Sequence, residues 1–231
     1  MSIAREAEMI VAGVDEAGRG SVIGPLVVAG IKIKRSKVRH LKESGVADSK
    51  KLTPKERLRL YGEIVKIVDD YYIHVLKPAT IDRFVAVNAL NFLEASAMAL
   101  VINRLAPRIA YVDSCDVNPE RFKKTILSKL TCSTRVDSKH HADSENIVVS
   151  AASILAKVKR DHEIDKLRKK IGDLGSGYPS DRKTMAYINE WIYRHKKAPV
   201  FARSSWKPVR KMLSRYAQTK LVDFNYNRQM Q

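Results

Sequence analysis

An apolar run that ends in two adjacent carboxylates constrains this chain more than any other feature. Residues 9–14 are apolar and are followed by Asp15, Glu16 and the turn Gly18-Arg19-Gly20. Such a run before a glycine-rich turn is typical of a buried strand. Neighbouring carboxylates with no cation in the next two residues repel each other, and a divalent metal ion is the usual means of offsetting that repulsion. The alternative is a strand that ends in a solvated polar turn.

The charge of the chain indicates its class of partner. Its 231 residues contain 43 Lys and Arg against 25 Asp and Glu, for a formal net charge of +18. Such an excess favours a polyanion, namely DNA, RNA or an acidic surface. The length is enough for one domain, or for one domain and a small appendage.

The two cysteines and the hydropathy indicate a cytoplasmic protein. Cys115 and Cys132 are too few for a disulfide framework, so we expect reduced thiols. The N-terminal residues carry mixed charge, and the following apolar run is too short for a signal peptide. The sequence has no apolar stretch of the length that crosses a membrane.

Alternating patterns predict a mixed sheet with helices on both faces. Strands are expected at 11–14, 22–33, 71–76, 109–112 and 134–136, the first two as an antiparallel hairpin joined by the glycine turn. Helices are expected at 54–68, 87–105, 119–130 and 147–170. Thr53, Pro54 and Glu56 form a capping-box pattern at the start of the first helix.

The C-terminal part of the chain is predicted to be a helical extension. A loop with Gly172, Gly175 and Gly177 leads into it, and residues 196–220 contain basic but no acidic side chains. We therefore expect residues 1–175 to form the main domain and residues 176–231 an extension that clamps a phosphate backbone. A solvated basic face on ordinary core helices is the alternative.

A second strand repeats the pattern of the first. Asp113 follows the apolar residues 109–112, and Asp143 lies just before the helix at 147–170. Ligand sites gather at the carboxyl ends of parallel strands, so Asp15, Glu16, Asp113 and Asp143 are predicted to converge. Oxygen ligands of this kind suit Mg²⁺ or Mn²⁺, and two such ions would activate water at a phosphodiester. The alternatives are a helix N-cap for Asp143 and a solvated strand end for Asp113.

Four further side chains carry weaker signals. Tyr178 lies in a glycine-flanked loop beside the basic extension, where it could stack on a sugar or base or anchor the loop. Lys50 could contact phosphate or be solvated. His140 and His141 could transfer protons, although a histidine pair in a polar loop is more often solvated.

The chain resembles ribonuclease HII of the archaeal type. The resemblance covers nearly the whole chain, and the joint occurrence of its motifs at these spacings is highly specific. The motifs are Asp15-Glu-Ala-Gly-Arg-Gly20, Asp48-Ser-Lys-Lys-Leu52, Tyr111-Val-Asp-Ser114, His141-Ala-Asp143, Val149-Ser-Ala-Ala-Ser-Ile-Leu-Ala-Lys157, Gly177-Tyr-Pro179 and Ser205-Trp-Lys207.

The resemblance implies an RNase H-like mixed five-stranded sheet with a helical C-terminal extension. It implies a monomeric endonuclease that cleaves the RNA strand of RNA–DNA hybrids and cuts 5′ to single ribonucleotides in duplex DNA, leaving a 3′-hydroxyl and a 5′-phosphate. By the same resemblance, Asp15, Glu16, Asp113 and Asp143 hold the metal ions. Gly18, Arg19 and Gly20 read the ribose 2′-hydroxyl, which distinguishes RNA from DNA. Tyr178 packs on the neighbouring deoxyribose. His140-His141 departs from the family, where one position is expected to be lysine.

Two rival functions remain. Another two-metal nuclease of this fold, such as a Holliday-junction resolvase, would not need a strip that reads the 2′-hydroxyl. A non-catalytic nucleic-acid-binding module would use the carboxylates for structure alone.

The C-terminal segment is similar to the motif that docks on a replication sliding clamp. Gln218, Leu221 and Phe224 have its spacing, but Asn225 stands where a second aromatic residue is usual, and Tyr226 is displaced by one position. One helical turn would place Leu221 and Phe224 on one face. The alternative is that they pack on the extension itself.

Overall fold

The computed structural model describes residues 6–46 and 52–229, with side chains as far as Gln218. The strands are β1 (Ile10–Ala17), β2 (Leu26–Lys34), β3 (Asp70–Leu76), β4 (Ile109–Asp113) and β5 (Arg135–Lys139). A 3-10 helix (Arg35–Lys37) precedes the first α-helix. The α-helices are α1 (Val38–Glu43), α2 (Pro54–Ile67), α3 (Pro78–Ala86), α4 (Leu90–Leu105), α5 (Pro119–Leu127), α6 (Ala142–Glu145), α7 (Ile147–Ile171), α8 (Arg182–His195) and α9 (Lys207–Gln229).

The strands form one mixed sheet in the order β3-β2-β1-β4-β5. The first three strands pair antiparallel, and β4 lies parallel to both β1 and β5. The predicted hairpin and the predicted mixed sheet are therefore confirmed. The arrangement places the carboxyl ends of β1 and β4 side by side.

The first two strands differ in extent from the sequence prediction. β1 continues to Ala17, because Asp15 and Glu16 pair with Ala29 and Val28 of β2. The two carboxylates are thus the last part of the strand and not the start of a turn. β2 begins at Leu26, directly after Pro25, whose missing N–H prevents it from joining a ladder.

The helix predicted at 87–105 is shorter than expected. α4 begins at Leu90, and a separate helix, α3, which the sequence reading missed, precedes it. Asn88 has a φ of 54° in the connection, a left-handed conformation that asparagine tolerates and that a continuous α-helix excludes. The capping box of Thr53 and Glu56 is confirmed at the start of α2.

Helices cover the two faces of the sheet. On one face α1, α2 and α7 share a core cluster with alternate residues of β1 and β2. Gly13 of β1 lies under α7 so closely that a Cβ there would be 2.3 Å from the Val148 carbonyl carbon. Gly30 of β2 is paired with the residue that follows Gly13, and a Cβ at Gly30 would be 2.4 Å from Val101 of α4. Successive positions along the paired strands therefore meet helices on opposite faces.

The described chain divides into two compact units. The first, residues 6–19, 26–46, 52–76 and 89–161, contains the whole sheet. The second takes residues 20–25 and 77–88 together with the chain from His162 onward, so it begins inside α7. The two units are defined by packing and not by function. The predicted division at residue 175 into a catalytic part and a substrate-clamping part stays a prediction.

The second unit has a core of its own. Val22 and Ile23 are buried with residues of α7, α8 and α9. Arg203 is fully buried, donates from Nε to the carbonyl of Gly24 over 3.1 Å, and lies over the ring of Trp206. Among the described residues, no helix combines the length and the hydropathy that a membrane crossing requires.

Candidate active site

The sheet brings three predicted metal ligands together. Asp15 comes from the end of β1, Asp113 from the end of β4 and Asp143 from α6. One carboxylate oxygen of each lies within 4.8 Å of the others. Asp15 and Asp143 are each 4% exposed. The parallel pairing of β1 with β4 explains why residues almost one hundred positions apart share one site.

Backbone hydrogen bonds fix Asp143 beside Asp113. The N–H of Ala142, at the start of α6, donates to Oδ1 of Asp113 over 2.9 Å. His141 precedes it with a φ of 57°, which turns the chain sharply from β5 into the helix. Ser150 of α7 donates its hydroxyl to the Asp143 carbonyl. Asp143 is therefore held in two ways. Its own carbonyl accepts a hydrogen bond from α7, and the residue before it is bonded to Asp113.

Burial dominates the electrostatics of Asp15. Desolvation and the charge of Asp113 raise the pKa of Asp15 to about 7, against hydrogen bonds from Ser153 and from the N–H of Glu16. Lys157 donates to the same Ser153 hydroxyl over 2.9 Å. Ionising all of the carboxylates in so small and largely buried a site is unfavourable in free energy, because they repel one another. The site therefore favours a bound cation.

Glu16 is not one of these three clustered carboxylates, although the charges of Asp15 and Asp113 act on it. Its neighbour in the strand, Asp15, forms a hydrogen bond with Ser153 of α7, whereas Glu16 is repelled by the charge of Glu94 on α4. Burial, then the charges of Asp15 and Glu94, raise the pKa of Glu16 well above its usual value. Its Oε2 is buried and has no hydrogen-bond partner among the described residues. The predicted role of Glu16 as a metal ligand stays a prediction.

The Gly18-Arg19-Gly20 strip follows β1 directly. Gly18 has a φ of 87°, a conformation that favours glycine. Arg19 donates from Nε to both oxygens of Glu94, over 3.0 and 3.1 Å. A Cβ at Gly20 would meet no atom within 4 Å, and the residue is exposed.

The other predicted binding residues are Tyr178, Lys50 and the three residues of the clamp motif. Tyr178 belongs to the second unit, in a loop where the N–H of Gly177 donates to Thr184 and the N–H of Ser176 to Asp181. Lys50 falls outside the described residues. Gln218 lies in α9, and the side chains of Leu221 and Phe224 lie outside the described part of that helix.

His140 has a structural contact. Its ring nitrogens lie 3.3 Å from the carbonyl oxygen of Ser114 and 3.4 Å from that of Val117. The ring therefore supports the loop that follows Asp113.

Sequence analysis missed three residues at this site, namely Ser153, Glu94 and Cys115. Ser153 bonds to Asp15, and Glu94 accepts hydrogen bonds from Cys115 and from the predicted Arg19. The signal for Glu94 was present, because one carboxylate in an alanine-rich apolar helix must have a buried partner. Ser153 and Cys115 carried no such signal. Both cysteines are free thiols, as expected, and burial raises the pKa of Cys115.

Comparison with known proteins decides the family. The sequence profile described as Ribonuclease HII matches residues 12–209. A ribonuclease HII from Cenarchaeum symbiosum is 53% identical over 202 residues, which are 87% of this chain and 97% of that protein. The chain belongs to the ribonuclease HII family. Ribonucleases HII are metal-dependent endonucleases, so the chain is a hydrolase.

Solved structures agree with the fold of a ribonuclease HII. The crystal structure of ribonuclease H2 from Pyrococcus horikoshii superposes with a TM-score of 0.85 at 43% identity and covers 90% of this chain and 99% of that one. A complex of PCNA and RNase HII from Archaeoglobus fulgidus gives a TM-score of 0.80 at 43% identity, over 86% of this chain and 96% of that one.

The residues present fit a divalent cation. The three clustered ligands are carboxylates, which suit Mg²⁺ or Mn²⁺ better than Zn²⁺. The raised pKa of Asp15 and the orphaned Oε2 of Glu16 both indicate negative charge that the described protein groups leave uncompensated. The ribonuclease HII site is therefore built to receive metal.

Proposed function

We propose that this chain cleaves the RNA strand of RNA–DNA hybrids and cuts 5′ to single ribonucleotides in duplex DNA, leaving a 3′-hydroxyl and a 5′-phosphate. One observation carries the proposal. In a ribonuclease HII chain, three carboxylates from two strand ends and a helix start lie within 4.8 Å of one another, and two of them are buried. The Gly18-Arg19-Gly20 strip follows the first of these strands at once.

Asp15, Glu16, Asp113 and Asp143 hold the metal in this proposal. Two Mg²⁺ or Mn²⁺ ions held by these residues would supply positive charge for the attacking water and for the leaving oxygen. Asp15 and Asp113, at the ends of paired parallel strands, set the spacing of the ligands. Ala142, by its hydrogen bond to Asp113, keeps the start of α6 in place, and with it Asp143.

Three other sets of residues recognise the substrate in this proposal. The backbone of Gly18, Arg19 and Gly20 reads the 2′-hydroxyl, which only ribose offers. Tyr178 packs on the neighbouring deoxyribose. Lys50 and the basic residues of 176–231 bind phosphates, which makes duplex affinity salt-dependent. The proposal also assigns catalysis to residues 1–175 and substrate clamping to residues 176–231. It further takes the enzyme to be monomeric and cytoplasmic.

The rival functions make different predictions. A resolvase-like nuclease would cut substrates without regard to the sugar. A non-catalytic module would bind duplexes and cut none. The acid cluster supports a nuclease over a non-catalytic module, and the adjoining turn with its positive-φ glycine and anchored arginine supports a nuclease that reads the sugar.

The deciding experiment uses four duplexes of one sequence: all-DNA, one ribonucleotide, one 2′-methoxy nucleotide, and an RNA–DNA hybrid. With Mg²⁺ or Mn²⁺ we expect cleavage of the hybrid and one cut 5′ to the ribonucleotide. We expect the all-DNA and 2′-methoxy duplexes to stay intact. Efficient cleavage of all-DNA would favour the general nuclease, and binding without any cleavage would favour the non-catalytic module.

We also propose that the end of α9 docks on a replication sliding clamp through Gln218, Leu221 and Phe224. The relative from Archaeoglobus fulgidus was solved in complex with PCNA. Helical backbone continues to Gln229, which supports the single turn that this spacing needs.

A further inference from the structure

The first two turns of α4 carry polar side chains toward the protein. Asn91 and Glu94 are three positions apart and share one helix face, among residues that are otherwise mostly apolar. Glu94 is fully buried. A buried carboxylate carries a large desolvation cost unless charged and hydrogen-bonded partners compensate it. Its partners therefore indicate what it is for.

Glu94 receives hydrogen bonds from two different turns. Arg19, in the turn after β1, donates from Nε to both carboxylate oxygens. Cys115, in the turn after β4, donates its thiol to Oε2 over 3.0 Å. One side chain of α4 thus joins the segments that follow the strands of Asp15 and Asp113.

Asn91 makes the same connection a second time. Its Oδ1 accepts from Nη2 of Arg19 over 2.8 Å, and its Nδ2 donates to Asp116 over 2.9 Å. Asp116 is held in turn by Arg121 and by the N–H of Asn118. Two nitrogens of the Arg19 guanidinium are therefore anchored to α4, which sets the plane of the group.

We propose that Asn91 and Glu94 are positioning residues for ribose recognition. By anchoring Arg19, they hold the turn of Gly18 and Arg19 at a fixed place relative to Asp15 and Asp113. The 2′-hydroxyl is then read at the nucleotide whose phosphate meets the metal ligands. This inference rests on the proposed function and adds to it a pair of residues that act through Arg19.

Chemistry favours this role over simple packing. Apolar side chains would fill the same face of α4 at lower desolvation cost. A carboxylate and an amide offer instead directed acceptors for Nε and Nη2 of one arginine, as a guanidinium fork requires. Misplacement of a substrate-reading group by about 1 Å costs about 100-fold in rate, so rigid anchoring is worth that cost.

The test measures kcat and KM on the duplex with one ribonucleotide. Glu94→Gln keeps the size of the side chain but loses its charge and presents N–H groups toward other donors. Asn91→Ala removes the second anchor. We expect each to lower kcat by about 10- to 100-fold. KM should change little, because phosphate contacts dominate duplex affinity. Glu120→Gln, at an exposed pair on α5, is the matched control and should change neither.

A second arm separates positioning from structural damage. If Glu94 acts through Arg19, then Glu94→Gln should have little further effect in an Arg19→Ala background. Should Arg19→Ala cut too slowly to measure, Arg19→Lys replaces it, since lysine cannot present two fixed N–H groups. Damage to the fold would lower kcat by the same factor in both backgrounds, and that result overturns the inference. So does a kcat for Glu94→Gln equal to that of the control.

The outcomes also distinguish this inference from the proposed function. A wild-type chain that fails to cut the ribonucleotide duplex removes the proposed function itself. A wild-type chain that cuts it, with Glu94→Gln or Asn91→Ala unimpaired, removes the positioning role alone. If Glu94→Gln does not fold, as judged by its melting curve, Asn91→Ala carries the same test.

Discussion

Asp15 and Glu16 are consecutive residues of β1, yet their side chains leave the strand toward opposite faces of the sheet. Asp15 bonds to Ser153 of α7, and Glu16 faces the charge of Glu94 on α4. The alternation follows from the pleat of a strand that remains paired as far as Ala17. The first carboxylate therefore joins Asp113 and Asp143, while the second lies beside the anchor of the Gly18-Arg19-Gly20 strip.

The first prediction concerns the two strand carboxylates. Asp15→Asn and Asp113→Asn should each lower cleavage by about 1,000-fold or more, because transition-state charge stabilisation is lost with the metal ligand. Duplex affinity should stay close to that of the wild type, since the phosphate contacts are unchanged. Single-turnover rates and binding titrations measure both quantities. Asp165→Asn, an exposed residue of α7, is the control. Near-normal turnover in either variant at saturating Mg²⁺ would refute the assignment.

Asp143→Asn should be milder than either of these substitutions. Asp143 comes from a helix start that other groups already hold, so water can replace part of its contribution as a ligand. The comparison is the cleavage rate of the three variants across a Mg²⁺ titration. A loss as deep as that of Asp15→Asn at every Mg²⁺ concentration would contradict it.

The second prediction concerns pH and metal. Without metal, Asp15 has a pKa of about 7 in the folded chain against an ordinary value of 3.8, so between those values the folded state binds more protons than the unfolded one. The contribution of this group to stability therefore falls as pH rises from about 4 to about 7, and it is constant above that range. Mg²⁺ at pH 8 should raise the melting temperature, because it binds the ionised folded site.

Asp113→Asn tests the cause of that shift. It removes the charge that, after burial, contributes most to the raised pKa of Asp15. The metal-free variant should therefore melt at a higher temperature than metal-free wild type at pH 8, and Mg²⁺ should shift it less. Thermal melts with and without Mg²⁺ at pH 5 and pH 8 check both statements. A lower melting temperature for the metal-free variant at pH 8 would show that charge repulsion is not the cause.

The third prediction compares two glycines. Gly13→Ala should destabilise the fold by about 3 kcal/mol or more, because a Cβ would overlap the backbone of α7, which cannot yield as a side chain could. Gly62→Ala should stabilise it by about 0.5–1 kcal/mol, because Gly62 lies within α2 and has no atom within 4 Å of an added Cβ. Denaturant unfolding measures both. Equal effects of the two substitutions would place α7 farther from β1 than described.

Strand ends and helix caps were predictable from the sequence, because they depend on local patterns. The apolar runs before Asp15 and Asp113 marked two strands, and the rule for parallel sheets then brought their carboxylates together. The break at Asn88 was not predictable, since the apolar pattern continues through it and a single left-handed residue decides it. The partners of Glu94 were hidden for another reason. They come from segments 75 and 21 residues away, and only the packed sheet brings those segments together.

The last prediction concerns the C-terminal segment. Gln218, Leu221 and Phe224 have the spacing of a clamp-binding turn, and α9 extends through all three positions. Because Asn225 stands where a second aromatic residue is usual, we expect binding weaker than that of a complete motif. Deleting residues 218–231 should abolish binding to a sliding clamp while cleavage without the clamp and the melting temperature remain those of the full chain.

Point substitutions separate docking from internal packing. Leu221→Ala and Phe224→Ala should each weaken clamp binding, since each removes an apolar side chain from the docking face. Arg228→Gln, farther along α9 and outside the motif, is the control and should leave most of the affinity in place. Surface plasmon resonance against immobilised clamp gives the affinities. A large fall in melting temperature on deletion, with no clamp binding by the intact chain, would mean that the segment is ordinary structure of the helical extension.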